Sequence, residues 1–227
     1  GLIPFRDRFP ERFIECGIAE MDMVSQAGGL ALSGYLPIAH SFACFMTPRA
    51  NEQIYNNATE RTKVVYVGSL AGLLPGGPGH SHQAVRDIAA LGGVLGLTMV
   101  EPSCVAAVAP LVDFCLSDQA RSAYIRLVSI PCAIPYAYDE DWSPRLGEGV
   151  LLRPGGDVVV IGYGPVLLTE AWHAAERLAG EGISVQLVDM PWLNQVDAAW
   201  LAGVVGDRPV VTLDNHYSGN GQGEMIA

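Results

Sequence analysis

Lysine is almost absent from this chain: Lys63 stands alone among the 13 basic residues, and all the others are arginine. A Schiff-base mechanism therefore has almost no candidate nucleophile. Basic residues are also outnumbered by 24 acidic ones, giving a formal net charge of −11 and a pI of about 4.7. The clustered Lys and Arg that a nucleic-acid backbone requires are missing, which argues against such a partner. The five cysteines, Cys16, Cys44, Cys104, Cys115 and Cys132, are odd in number and show no C-x-x-C spacing. They read as reduced, buried thiols of a cytoplasmic protein rather than as a disulfide framework or a nucleophile. No apolar run reaches the roughly 20 residues of a membrane span, and no signal peptide is visible. Internal repeats and low-complexity tracts are missing too. The chain opens at Gly1 without Met and closes at Ala227 in mid-pattern, so both ends read as truncated.

What the sequence does hold is apolar material: half of its 227 residues are hydrophobic. Its mean hydropathy is +0.26. That is enough for one or two domains with a sizeable core. Strand and helix patterns alternate along its length. Strands are expected at residues 12–16, 36–40, 63–68, 97–100 and 123–128, with helices at 19–32, 49–58, 84–91 and 104–116. Continuous apolar runs such as Val64-Val65-Tyr66-Val67 fit parallel strands covered on both faces. From Pro131 to Pro154 the character changes: Pro131, Pro135, the acidic run Asp139-Glu140-Asp141 and Pro144 read as an interdomain linker. A second unit follows, with strands expected at 157–162, 184–188 and 209–213 and a helix at 167–179 stopped by Gly180. Gly162-Tyr163-Gly164 follows a strand but lacks the spacing of a dinucleotide loop. The expected fold is two doubly wound α/β domains with mainly parallel sheets, at residues 1–135 and 155–227, joined by a linker at 136–154.

Several segments carry a resemblance. Cys16-Gly17-Ile18-Ala19-Glu20-Met21, at a junction leading into a helix, resembles the G-I-A-E-Q motif of transketolases and deoxyxylulose-phosphate synthases. Ser41-Phe42-Ala43-Cys44-Phe45-Met46-Thr47-Pro48-Arg49-Ala50 is similar to that family's aromatic stretch leading into R-A-x-D-Q, with Pro48 as an extra residue. The glycine-rich loop ending Gly79-His80-Ser81-His82-Gln83 is similar to G-P-T-H-Q. Gly155-Gly156-Asp157-Val158-Val159, Val188-Asp189-Met190 and Asp214-Asn215-His216 follow in family order. The resemblance implies a pyrimidine-binding domain followed by a truncated C-terminal domain, and thiamine diphosphate with Mg²⁺ as cofactors. The family's G-D-G…N motif, which holds the diphosphate and the metal, is missing. The resemblance thus implies that the metal site lies on another polypeptide or on a removed part of this one; the leading expectation is a split transketolase whose N-terminal subunit holds most of the Mg²⁺ site, in an alpha2beta2 assembly, with no metal ligand in this chain.

The resemblance also assigns roles. Glu20 is the candidate carboxyl that hydrogen-bonds the distal pyrimidine nitrogen, so that the cofactor's own amine can take the thiazolium proton. Desolvation is expected to raise its pKa and keep it neutral. Without the motif, Glu20 would read as a solvated first-turn glutamate facing the helix dipole. Phe45, with Phe42 as second choice, is the candidate for stacking on the pyrimidine, although a three-spaced Phe pair also fits plain core packing. Arg49 is a candidate to close the pocket. His82 and His80 lie in a loop whose glycines let backbone approach a ligand. His82 is the expected partner of a donor carbonyl or hydroxyl, and two histidines alone make a poor zinc site.

Substrate class reads less directly. Sugar-phosphate transketolases carry an arginine in a segment like L-S-R-Q-N-L-P. This chain has Arg126-Leu127-Val128-Ser129-Ile130-Pro131, with Ser129 at the phosphate-facing position and Arg126 three residues earlier. An acceptor without a terminal phosphate is expected, unless Arg126 or the partner subunit supplies the clamp. The leading expectation is transfer of a two-carbon ketol unit from a ketose donor to an aldose-type acceptor. The alternatives are the beta subunit of a 2-oxo acid dehydrogenase decarboxylase component and a non-catalytic assembly subunit.

Overall fold

The computed structural model describes residues 2–227. A short helix α1 (Ile3–Arg8) and a 3-10 turn (Pro10–Arg12) precede the first α/β unit. That unit runs α2 (Glu20–Leu32), β1 (Ile38–Phe42), α3 (Ala43–Arg49), α4 (Asn51–Thr59), β2 (Val65–Ser69), a 3-10 turn (His80–His82), α5 (Asp87–Gly92), β3 (Leu97–Val100), α6 (Val105–Leu116) and β4 (Ser122–Arg126). Its strands are all parallel, in the order β1-β2-β4-β3. The second unit runs β5 (Val150–Arg153), β6 (Val158–Gly162), α7 (Pro165–Gly180), β7 (Val185–Asp189), α8 (Ala198–Val205), β8 (Val210–Thr212) and α9 (Gln222–Ile226). Its order is β5-β7-β6-β8, with only β5 antiparallel. The expected pair of α/β units with mainly parallel sheets is what the chain forms.

Burial explains the apolar runs. Every residue of β3, β4 and β7 is buried, as parallel strands covered by helices on both faces require. The two units share a core: Val65, Val100, Phe114 and Ile125 pack in one cluster with Val159, Ile161, Leu168, Leu187 and Trp192. The fully buried Trp192 sets its ring edge-on to Phe114, with centroids 4.9 Å apart. Backbone bonds cross the same seam. Glu101 N–H donates to the Pro191 carbonyl at 2.9 Å and Leu193 N–H to the Met99 carbonyl at 2.8 Å, so residues 191–193 cover the outer edge of β3.

Some expected elements differ. Residues 12–16 form no strand. The Pro10–Arg12 turn ends there and the chain continues extended and largely exposed, with no neighbouring strand to complete a ladder. β1 starts at Ile38 rather than 36, because Pro37 has no N–H to give the ladder and contributes only its carbonyl, to Val65 N–H at 3.1 Å. The aromatic stretch is helical, as α3. Pro48 removes a helix donor near its end, and the chain breaks at Ala50 and restarts as α4. Residues 136–154 are not all loose chain: Tyr136 and Tyr138 are buried in the shared core, and β5 pairs with β7.

Candidate active site

The side chains singled out in the sequence meet at the C-terminal ends of β1 and β2, where open parallel sheets place their ligands. Glu20 is the first residue of α2 and is 8 % exposed. Its Oε1 accepts the Ser41 hydroxyl from β1 at 3.2 Å, and its Oε2 accepts Arg49 Nη1 from α3 at 2.9 Å. Because β1 passes directly into α3 at Phe42, the helical spacing puts Phe42 and Phe45 on one side and Arg49 one turn beyond Phe45. The two rings lie 5.8 Å apart, and the Arg49 guanidinium sits 4.1 Å from the centroid of Phe45. His82 approaches from the loop after β2, edge-on to Phe45 at 5.0 Å and 6.3 Å from Phe42. Ser81 Oγ lies 3.0 Å from its Nδ1. His80 opens the same turn but is exposed and makes no contact with the ring cluster.

The loop that carries His82 is tied at its base. Gly72 and Ala84 exchange two backbone hydrogen bonds at 3.0 Å. The second unit adds Asn215, whose Oδ1 accepts Leu73 N–H at 2.9 Å. Gly72 has φ +80°, and a Cβ there would lie 1.9 Å from the Asn215 amide nitrogen, so only glycine lets this side chain in. Sequence reasoning did not single out Asn215 for this role, although the Asp214-Asn215-His216 motif marked the segment. It also gave no role to Ser41, which opens the aromatic stretch.

Two expectations are corrected. Burial does push the Glu20 carboxyl up, but the hydrogen bond and charge of Arg49, its own backbone N–H and the Ser41 hydroxyl outweigh it. Its pKa therefore lies below the ordinary carboxylate value, not above it. Arg126 is no substrate clamp. It is fully buried, with Nε on Asp87 at 2.8 Å, Nη1 on Glu101 at 2.5 Å, and Nη2 on the carbonyls of Ala84 at 3.0 Å and Asn215 at 2.9 Å. The exposed Ser129 accepts Leu70 N–H at 3.0 Å. A fourth buried carboxyl, Asp189, accepts the hydroxyls of Ser103 and Tyr138, and burial pushes its pKa up to about 7. Among the described residues, no three His, Cys, Asp or Glu side chains converge as metal ligands.

The ring cluster fits a thiamine pyrimidine. A flat nitrogen-bearing group already lies on Phe45 with a nitrogen against the Glu20 carboxyl; it is the guanidinium of Arg49, and a pyrimidine ring has the same planar shape and can set a ring nitrogen at the same place. The chain matches the pyrimidine-binding domain of transketolase over residues 2–128 and the transketolase C-terminal domain over residues 147–227. It belongs to the transketolase family.

Particular relatives sharpen this. Human transketolase-like protein 2 is 34% identical over 98% of the chain, which spans only 36% of that protein's length. A 6-deoxy-6-sulfo-D-fructose transketolase subunit from Clostridium sp. is 31% identical over 98% of the chain and 69% of its own length. A split-gene transketolase solved as an inactive beta4 tetramer superimposes with a TM-score of 0.86 at 31% identity, covering 98% of this chain and 72% of that one.

Proposed function

We propose that this chain is the pyrimidine-binding subunit of a two-component transketolase that moves a two-carbon ketol unit from a ketose donor to an aldose-type acceptor. The observation that carries this reading is the convergence of Glu20, Phe45 and His82 on one site. Thiamine diphosphate, when bound, supplies the carbon nucleophile that takes up the ketol unit. Glu20, in its neutral form, donates a hydrogen bond to the pyrimidine ring, and Ser41 fixes the other carboxyl oxygen. Phe45, backed by Phe42, offers the apolar face. His82 hydrogen-bonds a donor carbonyl or hydroxyl and moves protons, with His80 a second candidate in the same loop. The diphosphate and its Mg²⁺ belong to a partner carrying the G-D-G motif, in an alpha2beta2 assembly. The relative's split-gene architecture supports this division of labour.

Engagement of every Arg126 nitrogen within the protein favours an acceptor without a terminal phosphate, with Ser129 facing it. The test of the site is Glu20→Gln in the assembled complex. The amide fits the space but cannot cycle the proton, so turnover should fall by ~10²–10⁴ with assembly intact. Near-normal turnover would assign the acid to another residue.

A further inference from the structure

Arg49 stands where the proposed function needs the cofactor to be. Its guanidinium covers the Phe45 ring at 4.1 Å and donates to Glu20 at 2.9 Å. Stacking on that ring and a hydrogen bond with the Glu20 carboxyl are also the two contacts a pyrimidine would make at this spot. Both sets of contacts cannot be made at once, since they use the same ring and the same carboxyl oxygen. Arg49 is free to leave. It is the last residue of α3, beside the break at Ala50, and its side chain is 45 % exposed to water.

We propose that Arg49 is a displaceable placeholder. In the cofactor-free chain it seals the pyrimidine site by occupying Phe45 and Glu20, and the cofactor must drive it into solvent to bind. This rests on the reading of the site given above. The placeholder keeps Phe45 from exposing an aromatic face and keeps the buried carboxylate paired, both of which would otherwise be costly before assembly. It also ties cofactor binding to proton uptake. Arg49 is the charged group that acts on Glu20; the other polar groups near it are the Ser41 hydroxyl and the Cys44 thiol. Once the guanidinium leaves, its hydrogen bond and charge no longer hold the carboxyl down, and burial, opposed only by the Ser41 hydroxyl and the backbone N–H, shifts Glu20 upward toward the neutral form that donates to the pyrimidine.

The test uses the complex with its partner subunit and measures binding of thiamine diphosphate with Mg²⁺ by calorimetry. A partly exposed ion pair and an exposed cation–π contact together correspond to about a three- to thirty-fold change. Arg49→Gln should therefore tighten cofactor binding by about that factor. Arg49→Lys, which keeps the charge but loses the plane, should tighten it less. In the isolated chain, the Glu20 carboxyl carbon followed by NMR should titrate at higher pH in Arg49→Gln than in the parent. Unchanged or weaker cofactor binding in Arg49→Gln, with folding intact, would overturn the placeholder. Phe45→Leu separates this from the site itself. It should weaken binding several-fold, and if it does not, the pyrimidine docks elsewhere and the whole site assignment falls.

Discussion

Replacing Arg126 by Met tests whether the buried ionic hub holds the two α/β units together. Arg126, Asp87 and Glu101 are all at most 1 % exposed, and both carboxylates share the one guanidinium as counter-charge. Tyr124 Oη also donates to Asp87, at 2.9 Å, and Arg126 reaches across the seam to the Asn215 carbonyl. Methionine fills much of the volume but leaves two buried carboxyls without a counter-charge. Breaking a buried pair from one side costs about 3–5 kcal/mol. In a protein of this size that lowers the melting temperature by roughly 6–20 °C. Adding Asp87→Asn and Glu101→Gln removes the stranded charges, so the triple variant should recover at least half of the loss. Urea unfolding at pH 7 measures both. A loss below about 1 kcal/mol for Arg126→Met, or a triple variant no more stable than the single, would refute the hub.

Two further predictions follow from the same seam and site. The folded pKa of Asp189, about 7, lies above the ordinary 3.8, so its contribution to stability is full below pH ~4 and is lost as pH rises through 7. Between these limits Asp189→Asn should remove a pH-dependent term of order 4 kcal/mol at most from the unfolding free energy, and unfolding curves of parent and variant that stay parallel from pH 4 to 7 would contradict it. In the assembled complex, matched acceptors with and without a terminal phosphate should differ by less than ~100-fold in kcat/KM, or about 2.7 kcal/mol; a larger preference for the phosphate would mean that the partner subunit provides the clamp.

Local patterns announced most of the strands and helices, because apolar runs and glycine or proline stops are short-range signals. The edge strand β5 was invisible, since Val150–Arg153 is defined by antiparallel pairing with distant β7. The reverse error, a strand at residues 12–16, arose from a strand-like pattern that has no partner to pair with. Glu20, Phe45 and His82 were legible through their motifs, yet the state of Glu20 was not. Expected desolvation pointed to a raised pKa, and only the three-dimensional meeting of α2 and α3 shows that Arg49 reverses it. Arg126 was misjudged for a similar reason. In a strand buried on both faces the sequence does not say which way a side chain points. Here alternation puts Tyr124 and Arg126 on the same face, the face that carries Asp87.

If this chain holds only half of a catalytic site, as proposed, ketol transfer with thiamine diphosphate and Mg²⁺ present should differ between the purified chain alone and its mixture with the proposed G-D-G-bearing subunit. The chain alone should show no turnover and weak cofactor binding, and mixing should restore both. Sustained ketol transfer by the isolated chain would contradict it.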